Sequence, residues 1–204
     1  MEMVIACGIV AVLSTSVYLI FINGNRLFTL QNNLAIAENQ ALKSSLIMQR
    51  ELREARAPEG LNLQAIEEAT SQSIIFYADI SDEPVNNREE KIQYLLHNGY
   101  LLRGVAYWNN DSQSYNALPD LTQYNPGGSN PGMQVMAQYV VNGANPIFYY
   151  FDQDYSGSQD PLGYPINLGS VKVIKTILEI DVNSRPPEPY IHETTIQLRN
   201  PNLW

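Results

Sequence analysis

Two carboxylate groupings are the residues best placed by type and spacing to do chemistry in this chain. Glu2 stands directly in front of an uncharged, mostly apolar run from Met3 to Ile22. Acids deep in a bilayer cost several kcal/mol and take a partner, so Glu2 sits at headgroup level or awaits a positive charge from another molecule. The second grouping is Asp152-Gln153-Asp154-Tyr155-Ser156-Gly157, with oxygens at alternate positions, a glycine at the turn and Asp160 at the ninth place. Its twelfth place is Gly163 instead of a bidentate glutamate and no helical pattern flanks it, which rules out an EF-hand. A plain acidic turn between strands is the favoured reading, and a calcium site of another type, on Asp152, Asp154, Ser156 and Asp160, is the alternative.

The remaining reactive side chains form no set. His97 and His192 have no second histidine or cysteine at ligand spacing, so His97 reads as a surface residue beside a turn and His192 as a residue on a strand face. Arg103 and Arg199 read as strand arginines that pair with a carboxylate or cover apolar surface. There is no Gly-x-Ser-x-Gly elbow, phosphate-binding glycine loop or His-Glu-x-x-His pattern, and the expectation is a protein that is not an enzyme, with no cofactor beyond the calcium alternative.

The element that must position Glu2 is a helix. At about 1.5 Å per residue, Met3 to Ile22 is long enough to span a hydrocarbon core of about 30 Å. Polar sequence follows from Asn25, yet apolar residues continue at Leu27, Leu30, Leu34, Ala37, Ala41, Met48, Leu52 and Ala55, at steps of three, four or seven. Asn32, Asn33, Glu38, Asn39, Lys43, Arg50, Glu51 and Arg53 fall to the other faces, and Glu51 lies four before Ala55 instead of before a base. With so little salt-bridge support the helix depends on packing its stripe against something else. It is expected to end at Ala57-Pro58-Glu59-Gly60, where proline and glycine supply a stop.

Beyond that stop the period changes. Strands are predicted at Ser73 to Ile80, Ile92 to Leu96, Tyr100 to Trp108, Val135 to Val141, Pro146 to Phe151, Val171 to Val182 and Ile191 to Arg199. Asn98-Gly99 signals a type I′ hairpin, because both central residues of that turn need positive φ. Leu61 to Ala69 is expected to form one short helix, and Asn109 to Gly132 a long surface excursion with one short strand. Short connections favour an antiparallel sheet, so the fold class is α+β. The expected divisions are 1–24 for the membrane half of the helix, 25–57 for its amphipathic half and 58–204 for the sheet ectodomain.

The 204 residues provide for one core. A formal net charge of −9 argues against nucleic acid as a partner, since phosphate binding needs a basic footprint. The single cysteine, Cys7, lies in the apolar run and can staple nothing in the ectodomain. The apolar run is not preceded by a basic region or followed by a small-x-small site, so it fits a cleaved secretory signal less well than an anchor.

A short uncharged segment headed by glutamate, continuing into an amphipathic helix and then an antiparallel sheet, resembles the type IV pilin-like family. Downstream, Gln49-Arg50-Glu51-Leu52-Arg53-Glu54-Ala55, Ser73-Ile74-Ile75-Phe76, Ile92-Gln93-Tyr94-Leu95, Gly99-Tyr100-Leu101-Leu102-Arg103 and Thr194-Thr195-Ile196-Gln197-Leu198-Arg199-Asn200 are similar to its larger minor subunits. Those subunits are the W-type minor pilin of type IV pili and the J-type minor pseudopilin of type II secretion. The resemblance implies a basic leader and three mature residues ahead of Met1, with Met1-Glu2 matching the last two positions of Phe-Thr-Leu-x-Glu. It implies a pilin-like fold and a structural role in a pilus or pseudopilus. The implied partners are other pilin or pseudopilin subunits, the inner-membrane assembly platform and, before assembly, membrane lipid. In that setting Glu2 becomes the register charge of a helix bundle, neutralised by a neighbour's α-amino group. Gly8 and Gly24 serve close helix packing or bending, beside the plainer reading that glycine is frequent in membrane helices. The implied location is a single pass of the inner membrane with the ectodomain outside the cytoplasm, then a periplasmic pseudopilus or an extracellular pilus. The other readings are a major filament subunit and a signal-anchored extracytoplasmic binding domain that uses aromatic loops.

Overall fold

The structure is a computed structural model and describes residues 1–80, 88–182 and 188–199. A single unbroken helix, α1 (Glu2–Arg53, 52 residues), runs through both Gly8 and Gly24 and is about 78 Å long. It is followed by β1 (Ile66–Ala69), β2 (Ser73–Ala78), β3 (Glu90–His97), β4 (Tyr100–Ala106), β5 (Trp108–Asn109), β6 (Ser114–Tyr115), β7 (Met133–Gln138), β8 (Phe148–Phe151), β9 (Val173–Ile180) and β10 (Tyr190–Gln197). The molecule is therefore α+β, a long N-terminal helix laid on antiparallel sheets.

One sheet has the order β1-β2-β3-β4-β7 and a second the order β10-β9-β8, with every described pairing antiparallel. The two are tied at several places, among them the Tyr150 hydroxyl on β8, which donates to the carbonyls of Thr70 and Ser73. Val140 bridges Ile180, with Val141 N–H donating to Glu179 and Asp181 N–H to Tyr139, and Ile147 N–H donates to Ser71. The β3–β4 hairpin turns at Asn98 (φ 49°) and Gly99 (φ 77°), the positive-φ pair that the sequence leads one to expect, and His97 faces Tyr100 across its end.

The core lies between α1 and both sheets. Ala37, Ala41, Met48 and Leu52 meet Ile74, Phe76, Ile92, Tyr94 and Leu101 of the first sheet and Phe148, Tyr150, Ile174, Leu178 and Ile196 of the second. Small residues at 37, 41, 44 and 45 let the helix settle close to the strands. The expected stripe is thus buried only in its C-terminal part. Leu27 and Leu34 are 55% and 46% exposed, and Leu34 lines a shallow pocket with Ile180 at the end of β9.

Three expectations need correction. The helix ends at Arg53, before Ala57, since the following chain joins the sheet: Ala55 bridges Ala78 and Arg56 N–H donates to Tyr77. Leu61 to Ala69 is not helical. Its second half is β1, drawn onto the open edge of β2 with Ala69 opposite Ile74, an instance of tertiary pairing overriding local preference. The Asn109 to Gly132 excursion carries the β5–β6 hairpin at its start and a 3-10 turn at Leu121–Gln123, whose Asp120 carboxylate caps Thr122 N–H. Leu121 is buried there, over Gly104 of β4. Asn200, the last residue of the closing motif, lies outside the described residues.

Candidate assembly interface

No residue ahead of Ala37 is buried, so the front of α1 presents Met3, Val4, Ile5, Ile9, Val10 and Leu13 to its surroundings. This helix is long and apolar enough to cross a membrane, and none of its apolar window is covered by the rest of the chain. Glu2 lies in its first turn, exposed, where the partial positive charge of the helix N-terminus favours a carboxylate. Added Cβ atoms at Gly8 and Gly24 would meet nothing within 4 Å, so among the described residues the chain itself makes no use of either glycine as a packing notch. Cys7 is exposed on the same stretch.

Where the helix reaches the sheets, polar contacts fix its position on each of them. Gln40 Oε1 accepts from the N–H of Gln138 on β7 at 2.7 Å, and Ser45 Oγ meets Thr194 Oγ1 on β10 at 2.8 Å. One turn from the end, Glu51 enters between β3 and β4 and is only 2% exposed. Tyr94 and Arg103 face each other across those strands, which puts both side chains on the helix side. Arg103 Nη2 donates to Glu51 Oε1 at 2.7 Å, Arg103 Nε to Oε2 at 3.0 Å, and the Tyr94 hydroxyl to Oε2 at 2.6 Å. The carboxylate therefore receives three charge-assisted bonds, two of them from the bidentate fork that suits arginine.

This latch shapes the ionisation of its members. Burial, with the Glu51 carboxylate beside it, pushes the Tyr94 hydroxyl well above the ordinary tyrosine range. For Arg103 burial works against the charge, but the hydrogen bonds and charge of Glu51 outweigh it and raise the guanidinium above its usual value. Arg103, on β4, pairs with a carboxylate as expected for a strand arginine; Arg199 also pairs with one, but it lies two residues beyond the end of β10 and not on the strand. The Arg199–Glu54 pair at 2.9 Å is largely exposed and contributes little to stability. Arg56 adds a bridge behind the helix end, to buried Glu89 at 2.6 Å and to Asp79 at 2.9 Å.

Glu51, expected on a face other than the apolar stripe, is instead buried. Its spacing carried a signal: it falls three after Met48 and seven after Ser44, on the buried face. An acid there needs a buried cation, and the match with an arginine on an alternating strand emerges only once β4 is placed against the helix.

The loop after β8 is organised by its own side chains. Asp152 Oδ1 accepts from Asp154 N–H at 3.0 Å, and Gln159 accepts from Ser156 N–H while donating to Asp154 O and Ser156 Oγ. Among the described residues no three His, Cys, Asp or Glu side chains converge on a point that could hold a metal ion, so Asp152, Asp154 and Asp160 are not gathered into a ligand set. His97 Nε2 meets Asn98 Nδ2 at 2.8 Å beside the hairpin turn, and His192 lies on β10, stacked on Tyr190 and bonded to Thr194 Oγ1 at 3.0 Å. Compared with known proteins, the chain matches no protein-family model and no curated protein.

Proposed function

We propose that this chain is a non-enzymatic structural subunit of a pilin-like filament, a type IV pilus or a type II secretion pseudopilus, and a minor component of it. The observation that carries the reading is the division of α1. From Ala37 to Leu52 its inner face is closed against two sheets, whereas ahead of Ala37 none of its residues is buried among the described residues and its apolar window is wholly uncovered. An uncovered apolar helix rooted in a folded ectodomain needs lipid before assembly and the helices of other subunits after it. Residence is then a single pass of the inner membrane with the ectodomain outside the cytoplasm, followed by a place in the filament.

In this role Glu2 sets axial register by pairing with the α-amino group of a neighbouring subunit inside the bundle, where an unpaired carboxylate would be strongly unfavourable. Gly8 and Gly24 offer surface without side chains to neighbouring helices. The ectodomain does not touch Glu2, so Glu2→Ala leaves folding and membrane insertion unchanged and abolishes incorporation. Quantifying the chain in sheared filaments, against its level in the membrane, tests this. Normal incorporation of Glu2→Ala would refute the assembly mechanism.

A further inference from the structure

Beside the Glu51 latch an open groove of about 510 Å³ runs between α1 and the β4–β7 edge, lined by Leu46, Ile47, Arg50, Glu51, Arg103 and Gln134. We infer that this groove is a socket for an acidic side chain on an apolar stem, contributed by a neighbouring subunit; the inference rests on the filament reading above.

The charge at the groove is unbalanced. Arg103 uses its Nε and Nη2 edge on Glu51, and its Nη1 makes only a 3.3 Å contact to Gln134 Oε1, so the outer guanidinium edge still has N–H donors to offer. Glu51 is saturated by Arg103 and Tyr94 and offers no free charge. Arg50, on the rim, makes no side-chain hydrogen bond or ion pair among the described residues. The groove thus carries the excess positive charge of Arg50 in a chain whose net charge is −9. Next to this charge Leu46 is 64% exposed, an apolar wall four residues before Arg50 on the same helical face. Two guanidinium groups beside an uncovered leucine fit a carboxylate carried on methylene groups, a glutamate more closely than an aspartate. A favourable charge for the end of α1 would account for Arg50 by itself. It does not account for an exposed leucine and a second arginine facing the same space.

The test uses the full-length chain in assembled filaments. Arg50→Lys keeps the charge and supplies an amine, which a water-soluble carbodiimide joins to a carboxylate only at ion-pair distance. The expected result is one intersubunit isopeptide bond at position 50, mapped by mass spectrometry to a Glu or Asp of another subunit. Arg50→Glu is expected to lower incorporation about tenfold, and reversal of the mapped acid to Lys in the partner is expected to restore it. Near-UV circular dichroism of the detergent-solubilised protein checks that Arg50→Glu remains folded. Wild-type incorporation of Arg50→Glu, or coupling of position 50 only within its own chain, overturns the inference. Glu2→Ala measured in parallel separates the two readings. If Glu2→Ala is excluded from filaments while Arg50→Glu enters normally, the socket alone fails; if both enter normally, the filament mechanism fails with it.

Discussion

Removing either partner of the Glu51–Arg103 pair should destabilise the protein far more than removing both. Glu51 and Arg103 have side chains only 2% and 14% exposed, so the carboxylate is shielded from solvent while the guanidinium keeps one edge toward the open groove. Glu51→Ala leaves a buried guanidinium with a weak 3.3 Å contact to Gln134 and a buried Tyr94 hydroxyl without its acceptor. Breaking a buried pair from one side costs about 3–5 kcal/mol, and the orphaned hydroxyl belongs within that figure. Arg103→Ala leaves a buried carboxylate held by Tyr94 alone, and the expected loss is again about 3–5 kcal/mol. Against a typical domain stability of about 5–15 kcal/mol, either change brings the folded domain close to unfolding. Glu51→Leu combined with Arg103→Met replaces the charges by apolar atoms of similar length and should cost about 1 kcal/mol or less, or even stabilise. The assay is urea unfolding of the full chain in detergent micelles, followed by near-UV tyrosine circular dichroism, with the midpoint and slope compared across the cycle. Additive single and double effects, or a Glu51→Ala loss under about 0.5 kcal/mol, would refute the account of a buried, mutually dependent pair.

The Tyr94 hydroxyl ionises at higher pH in the folded protein than in the unfolded chain, whose tyrosines titrate near 10. Its contribution is complete below that value and is lost as pH rises above it, so the urea midpoint should fall above about pH 10, and Tyr94→Phe should make that fall shallower without removing it, because Tyr77, Tyr115, Tyr150 and Tyr164 are raised in the same direction. At Gly104 an added Cβ would lie 2.8 Å from Pro119 Cγ and 3.2 Å from Leu121 Cδ2, and the proline ring has little freedom to yield. Gly104→Ala should therefore cost about 1–3 kcal/mol, read as a lowered urea midpoint, while an unchanged midpoint would mean that the Pro119–Leu121 cover is loose.

The long helix, the hairpin at Asn98-Gly99 and most strands were legible in the sequence because each is set by local pattern: apolar spacing near 3.6, alternation near 2, and the φ demand of an Asn-Gly turn. β1 was not. Glu67, Glu68 and Ala69 are good helix formers, and only the free edge of β2 makes them a strand. The β5–β6 hairpin was hidden by its length, two residues on each side, held by the Trp108–Tyr115 edge contact more than by a ladder. Glu51 was the informative error. Helix periodicity placed it among buried positions, but its charge suggested solvent, and the deciding partner is distant in sequence on β4. Glu2 stands apart, since its partner belongs to another molecule under the reading proposed above.

The latched portion of α1 also decides how the sheets would share a load applied to the helix. Tension carried along the helix enters the folded part through Gln40 on β7, Ser45 on β10, Glu51 on β4 and the Ala55–Ala78 bridge to β2. These anchors are spread over about four turns and reach both sheets, so a pull on the helix is shared among several strands at once. The Val140–Ile180 bridge and the Ile147–Ser71 bond join the two sheets behind the helix and return part of that load from one to the other.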